Sequence, residues 1–189
     1  MYQDLLALQE GKLSEVVFRD RHVWTRAILV IDMTDLTTAA ISAGDLSSLL
    51  RILDAQKVAI PALQAHGAEM VHCFADDIFA TFAGPDAALD AALEAQRRIA
   101  SYNASALASD HPTELCMGIG FGEVLRIGPD EAQGAEMNKA SKLGEDIARA
   151  RDILITEQAH RALKKRRDVR FKRHGRDEHQ FVFFEVDYR

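Results

Sequence analysis

The chain has 189 residues, of which 48% are hydrophobic and 28% charged, a composition typical of one globular domain. Its apolar runs all fall short of the ~18 residues that a membrane-spanning helix needs, so no membrane partner is predicted. A formal net charge of −6 argues against a general nucleic-acid-binding protein, and two cysteines in apolar runs predict buried thiols and a cytoplasmic location rather than a disulfide scaffold.

Hydrophobic periodicity predicts strands and helices along the chain, after an N-terminal arm of residues 1–23. The remaining residues, 24–189, fit a single domain. Predicted helices cover residues 4–10, 45–66, 85–103, 135–150 and 157–163, and predicted strands cover residues 27–31, 70–74, 78–82, 115–125, 153–155, 169–172 and 180–186. The order β-α-β-β-α-β, followed by additions, predicts an α+β fold with a ferredoxin-like core.

Local residues set further expectations inside these elements. Asp45 is expected to cap the helix that follows it, and Pro61 is expected to kink or break that helix. Gly118, Gly120 and Gly122 leave one face of their strand without side chains. That bare face has two interpretations, which are close approach of a ligand to the backbone and a packing groove for a helix.

Acidic residues accompany two of the apolar, strand-like runs. The run A-I-L-V-I ends on Asp32, and a predicted hairpin that starts at Met70 carries Asp76 beside Asp77. Two carboxylates a few ångströms apart repel unless a cation lies between them, and Mg²⁺ is a hard ion that prefers oxygen ligands. The sequence therefore predicts a magnesium–nucleotide site on Asp32 and Asp76, unless the acidic residues only form a turn. Neighbouring strand residues face opposite sides of a sheet, so Asp76 and Asp77 are not both expected to face one ion.

The segment after Asp32 is predicted to turn into a helix. Such a turn offers backbone N–H groups and hydroxyls to a phosphate. Its candidate phosphate-binding residues are Thr34, Asp35, Leu36 and Thr37.

Four stretches stand out along the chain. They are D-M-T-D-L-T from Asp32, H-C-F-A-D-D-I-F from His72, G-I-G-F-G-E-V from Gly118 and G-A-E-M-N-K-A-S-K-L from Gly134. Together they resemble the catalytic domain of the class III adenylate and guanylate cyclases, over about residues 24–186. The corresponding family patterns, in the same order, are D-I-x-G-F-T, K-x-x-G-D-S-x-M, G-I-H-x-G-E-V and G-x-x-V-N-x-A-S-R-L.

This resemblance implies the class III nucleotidyl cyclase fold and a homodimer that converts a nucleoside triphosphate to a 3′,5′-cyclic nucleotide and pyrophosphate. It implies two Mg²⁺ or Mn²⁺ ions per site, held by Asp32 and Asp76 of one subunit. Asn138 of the other subunit would orient the ribose, and Lys142 would replace the arginine that meets the α-phosphate. Arg176 would supply a further cation to the phosphates.

Several positions depart from the family pattern. His72 and Glu131 stand where adenylate cyclases read the base with a lysine and an aspartate, and they are not the glutamate–cysteine pair of guanylate cyclases either. Asp35 replaces a glycine of the phosphate-binding turn, and Lys142 keeps a positive charge but lacks the bidentate fork of arginine.

Two other functions are compatible with these residues. The first is a cyclase-homology domain that has lost turnover and serves as a nucleotide-binding or dimerising module. The second is a protein that uses the basic run from Lys164 to Arg176 to hold nucleic acid or an anionic surface.

Overall fold

The computed structural model describes residues 1–34, 44–105, 112–128, 131–174 and 181–188. Four candidate site residues lie outside these ranges: Asp35, Leu36, Thr37 and Arg176. The helices are α1 (Tyr2–Gln9), α2 (Glu15–His22), α3 (Asp45–Ala65), α4 (Pro85–Asn103), α5 (Ala135–Ser141), a π-helix (Lys142–Ile147) and α6 (Glu157–Leu163). The strands are β1 (Val23–Met33), β2 (Met70–Phe74), β3 (Asp77–Phe82), β4 (Leu115–Arg126), β5 (Ala132–Gln133), β6 (Ile153–Thr156), β7 (Arg170–His174) and β8 (Phe183–Asp187).

Within the described residues, eight strands form one sheet in the order β2-β3-β1-β4-β6-β8-β7, with β5 paired to β4. The first four strands and helices α3 and α4 follow the β-α-β-β-α-β order, which confirms the predicted ferredoxin-like core. The pair β4–β6 is parallel and the other strand pairs are antiparallel. The α+β prediction with C-terminal additions is therefore correct.

Strand β1 lies in the middle of this core and separates two apolar layers. Its odd-numbered residues, such as Leu29 and Ile31, pack in the main core with α3 and α4. Its even-numbered residues, Ile28 and Val30, pack on the opposite face with residues of α5. Because side chains alternate along a strand, Asp32 belongs to the α5 face of the sheet.

The glycine-lined face of β4 is a groove for α5 and the π-helix. A Cβ atom on Gly118 would lie 2.0 Å from the carbonyl oxygen of Ala140, and one on Gly120 would lie 2.5 Å from the carbonyl oxygen of Glu136. Backbone atoms cannot approach so closely past a side chain, so this strand requires glycine there. Of the two interpretations, helix packing is the correct one.

Several predicted boundaries were wrong. Strand β1 begins at Val23 and runs past Asp32 to Met33. Helix α3 has Gly44, not Asp45, at its N-cap, and it continues through Pro61 to Ala65. The buried face of α3, which includes Ala59, Ala62 and Leu63, packs it against the core and compensates for the hydrogen bond that proline lacks.

Two other local predictions were confirmed in whole or in part. The predicted stop of α3 is confirmed, because Gly67 has φ +79° just after the C-cap. Cys116 is buried as expected but Cys73, near the hairpin turn, is exposed. Among the described helices, none is long and apolar enough to cross a bilayer.

Candidate functional site

A two-residue turn joins β2 to β3 and carries Asp76. Phe74 pairs with Asp77 at the base of the turn, and Ala75 takes a left-handed conformation with φ 52°. Left-handed backbone is unfavourable for a residue with a Cβ atom, so the turn holds Ala75 where glycine would be relaxed. The Gln56 side chain donates a hydrogen bond to the Ala75 carbonyl oxygen at 3.3 Å. This contact ties the hairpin tip to α3.

Four carboxylates gather where β1 meets this hairpin: Asp32, Asp76, Asp77 and Glu145. Ile31 pairs with Ile78 in the β1–β3 ladder, and the same register continued by one residue sets Asp32 opposite Asp77. Burial, followed by the charges of Asp76 and Glu145, raises the pKa of Asp32 to about 6. Burial and the charges of Glu145, Asp32 and Asp76 raise the pKa of Asp77 to about 7. The cluster is therefore a focus of uncompensated negative charge.

The alternation rule, from which Asp76 and Asp77 were predicted to face opposite sides of the sheet, does not apply to Asp76. Asp76 lies in the turn and not in the strand, so its side chain is not bound to the face opposite Asp77. Asp77 and Glu145 were missed as members of the cluster. No simple sequence signal pointed to Glu145, because it lies in the π-helix, where 3.6-residue periodicity no longer decides which side chains share a face.

A cavity of about 660 Å³ lies beside the cluster on the α5 face of the sheet. His72, Glu131 and Asn138 all line it, so the structure brings these three predicted site residues together. Its remaining lining residues are Met70, Phe74, Asp77, Phe79, Gly128, Ala132, Gln133, Met137, Ser141 and Glu145. The cavity combines apolar walls with a few polar groups, which is the usual make-up of a small-molecule site.

Strand geometry and a buried carboxylate position the polar groups of the cavity. His72 lies opposite Phe79 across the hairpin, and both side chains line the cavity. Helix α5 is fixed by Glu136, a buried residue that accepts hydrogen bonds from Thr156 Oγ1 at 2.5 Å and Lys139 Nζ at 2.7 Å. Because Glu136 anchors the helix to Thr156 at the end of β6, Asn138 has a defined position above the sheet.

Lys142 lies outside the lining of this cavity. It is the first residue of the π-helix, and its Nζ forms an ion pair with Asp146 Oδ2 at 2.9 Å. Both side chains are exposed, so this is a surface pair between residues i and i+4. The structure therefore does not bring Lys142 together with Asn138 in the cavity.

Thr34 opens the predicted phosphate-binding turn and is attached to the strand edge. Its backbone N–H and its hydroxyl both donate to the carbonyl oxygen of Glu114, at 3.0 and 3.4 Å. Asp32 Oδ1 in turn accepts a hydrogen bond from the Met33 N–H at 2.6 Å. The start of the turn is thus anchored next to the carboxylate cluster.

The donor atoms of the cluster suit a hard divalent cation. Carboxylate oxygens are the ligands that Mg²⁺ and Mn²⁺ prefer, and a cation would relieve the mutual repulsion that adds to burial in raising the pKa of Asp32 and of Asp77. Across the described ranges, however, no three His, Cys, Asp or Glu side chains form a ready-made ligand set.

The basic run near the C-terminal end is partly neutralised by acidic partners. Arg166 forms ion pairs with Asp86, Asp90 and Asp168. Lys172 lies 3.4 Å from Glu185. These pairs weaken the case for a cationic nucleic-acid surface.

Neither a family model nor a curated protein sequence matches the chain. Solved structures do. The adenylyl cyclase CyaB from P. aeruginosa has a TM-score of 0.74 and 16% identity over 87% of this chain and 94% of that chain. An adenylate/guanylate cyclase/hydrolase from Silicibacter pomeroyi has a TM-score of 0.71 and 19% identity over 87% and 95% of the two chains. The guanylate cyclase domain of RhGC from Catenaria anguillulae, solved in complex with GTP, has a TM-score of 0.70 and 15% identity over 87% and 97%. The chain thus has the fold of class III cyclase catalytic domains.

Proposed function

We propose that this chain is a nucleotidyl cyclase that converts a nucleoside triphosphate to a 3′,5′-cyclic nucleotide and pyrophosphate. The observation that carries the proposal is that one face of the sheet, the α5 face, presents both the carboxylate cluster and the cavity lined by His72, Glu131 and Asn138, so a dimer formed through this face can bring the cluster of one subunit to the cavity of the other. A triphosphate needs cations and a nucleoside needs a partly apolar pocket, and the α5 face of the sheet offers sites suited to both. The similarity of the fold to that of known cyclases supports this activity by analogy.

Asp32 and Asp76 are the residues that would hold the divalent ions, Mg²⁺ or Mn²⁺. When bound, two such ions activate the ribose 3′-hydroxyl and neutralise charge on the phosphates. Asp77 and Glu145 strengthen the local negative potential and so favour cation binding. The same charges repel a bare triphosphate, which makes nucleotide binding depend on the cation.

The cavity would bind the nucleoside. Phe79 and Met137 supply apolar surface for the base, and Glu131 can only accept hydrogen bonds from it. His72 donates or accepts according to its tautomer. Asn138 has both donor and acceptor atoms for the ribose oxygens, so it would orient the sugar.

A homodimer completes the site in this proposal. The resemblance to class III cyclases implies that carboxylates of one subunit face Asn138 and Lys142 of its partner. Lys142 must then leave Asp146 to meet the α-phosphate, and breaking an exposed pair of this kind costs only ~0.5 kcal/mol. Thr34, with Asp35, Leu36 and Thr37, would contact the phosphates, as would Arg176.

The test is a panel of ATP, GTP, CTP and UTP with Mn²⁺ or Mg²⁺, analysed by mass for cyclic products. The proposal expects one or more cyclic products, with turnover lost by about a thousandfold or more in Asp32→Asn and in Asp76→Asn. Asp20→Asn is the matched control, because Asp20 is an exposed carboxylate of α2. Full activity in both site variants would refute the metal assignment.

One observation favours a second candidate, a nucleotide-binding or dimerising module without turnover. Lys142 points to Asp146 rather than into the cavity, and it lacks the arginine fork. Calorimetric binding of a nucleotide with no product from any of the four triphosphates would support this alternative. Turnover of any one of them would eliminate it.

A further inference from the structure

Helix α3 exposes a stripe of leucines to solvent. The leucines recur at spacings i, i+3, i+4 and i+7, which places them on one face of the helix. They are Leu46, Leu49, Leu50 and Leu53, with 71%, 61%, 53% and 43% of their surface exposed. A contiguous exposed apolar patch marks an interaction site, whereas a single exposed leucine needs no explanation.

The polarity of these first turns of α3 is inverted. Ser48 and Arg51, which lie between the leucines in the sequence, face inward and are buried. A helix that only had to pack on its own domain would bury its leucines and expose its serine and arginine. Because the leucines face outward instead, we expect a second apolar surface to cover them.

The two ends of the leucine stripe carry opposite charges. Asp45 is the first residue of α3, and Lys57 follows Leu53 by four residues and so continues the same helix face. Both charged side chains are exposed, and they are about 18 Å apart along the helix axis. A second α3 helix that runs antiparallel would bring Asp45 of each copy beside Lys57 of the other, and Leu49 of each copy beside Leu53 of the other. The stripe is therefore complementary to itself in charge and in apolar surface.

We propose that the leucine stripe binds a second copy of this chain, with the two α3 helices antiparallel about a two-fold axis. In a contact of this symmetry one patch meets the same patch of its partner, which requires the self-complementarity that the stripe has. The inner face of α3 packs in the main core, on the opposite side of the sheet from α5. The contact is thus separate from a dimer through the α5 face and does not rest on the cyclase activity. Where both contacts form, assemblies larger than a dimer result.

The test is sedimentation equilibrium of the full chain over a range of protein concentrations. Leu49→Ser combined with Leu53→Ser changes two leucines that meet across the contact, and each counts twice in a symmetric interface. The Kd of self-association should rise by about a hundredfold or more, and cyclic-nucleotide formation should not change. Equal association of wild type and this variant at every concentration would overturn the proposal and leave the stripe to a different partner.

The matched control is Leu5→Ser combined with Leu6→Ser. These leucines of α1 are 40% and 41% exposed, so they offer apolar surface outside the stripe. The control should associate as wild type does. A loss of association as large as that of the α3 variant would show unspecific apolar contact and contradict the proposal.

Charge reversal at the ends of the stripe keeps the proposal testable if the leucine variant does not fold. Asp45→Lys and Lys57→Asp each place like charges together twice, so each should raise the Kd by about tenfold at low ionic strength. An equimolar mixture of the two variants should associate as wild type does, because every charge pair in a mixed dimer is then of opposite sign. This recovery is specific to an antiparallel contact between copies. A mixture that associates no better than either variant alone would overturn the proposal.

Discussion

Two acidic clusters of this molecule use the same residue type in opposite ways. Around Arg166, three aspartates share one cation, and its hydrogen bonds lower the pKa of Asp168 to about 2. At the end of β1, partly buried carboxylates face one another, and burial together with the neighbouring charges raises the pKa of Asp32 to about 6. The first arrangement stabilises the fold, whereas the second costs stability. A cluster that opposes folding is the kind of feature that proteins keep for a binding or catalytic task.

The largest stability effect is expected at the compensated cluster. Arg166→Met leaves three carboxylates near one another without their cation. Its own side chain is mostly buried but its partners are half exposed, so solvent screening limits the loss to about 2 kcal/mol, or about 6 °C in Tm. Urea unfolding measures this loss, and cyclic-nucleotide formation at low temperature should stay unchanged. An equally stable variant would show that the two clusters do not differ in this way.

Removing a charge from the uncompensated cluster at the end of β1 should instead increase the free energy of unfolding. Asp32 and Asp77 have folded-state pKa values of about 6 and about 7, above their ordinary 3.8. The folded protein therefore binds more protons than the unfolded chain in that interval, and the free energy of unfolding falls as the pH rises through it. Asp77→Asn removes one of the repelling charges and should raise stability at about pH 8 by about 1 kcal/mol after allowance for screening.

Urea unfolding of wild type and Asp77→Asn at several pH values checks this prediction. The difference between the two proteins should shrink toward acid pH, where Asp77 is protonated. Added Mg²⁺ should stabilise wild type more than the variant at neutral pH, because cation binding by the cluster opposes the same repulsion. A difference that does not depend on pH would contradict the assignment of the shift to Asp77.

The smallest effect concerns the exposed pair of Lys142 and Asp146. Asp146→Asn should change the free energy of unfolding by less than about 0.5 kcal/mol, as is usual for a surface pair. If Lys142 must leave Asp146 to reach substrate, the same change should raise turnover by about twofold. Steady-state kinetics of the variant test this, and turnover that falls would indicate that Asp146 has a role of its own.

The order of strands and helices along the chain and the hairpin with Asp76 could be predicted, because hydrophobic periodicity and turn residues report local structure directly. What packs against the glycine-lined face of β4 could not be predicted, since a bare strand face can accept either a ligand or a helix. The direction of the Lys142 side chain could not be predicted either, because it depends on a π-helix that 3.6-residue periodicity does not reveal. The burial of Arg51 was also invisible, because an arginine within an amphipathic helix normally predicts a solvent-exposed position.

The most direct test of the shared carboxylate–nucleotide site is complementation between two inactive variants. Asp32→Asn and Asn138→Ala should each make no cyclic nucleotide. In a homodimer of either variant, both active sites contain the substituted residue. Mixed in equal amounts and allowed to exchange subunits, they should recover about a quarter of wild-type activity, since half of the dimers are mixed and carry one intact site of two. Product from Asp32→Asn alone, or an inactive mixture in which mixed dimers are shown to form, would contradict the account.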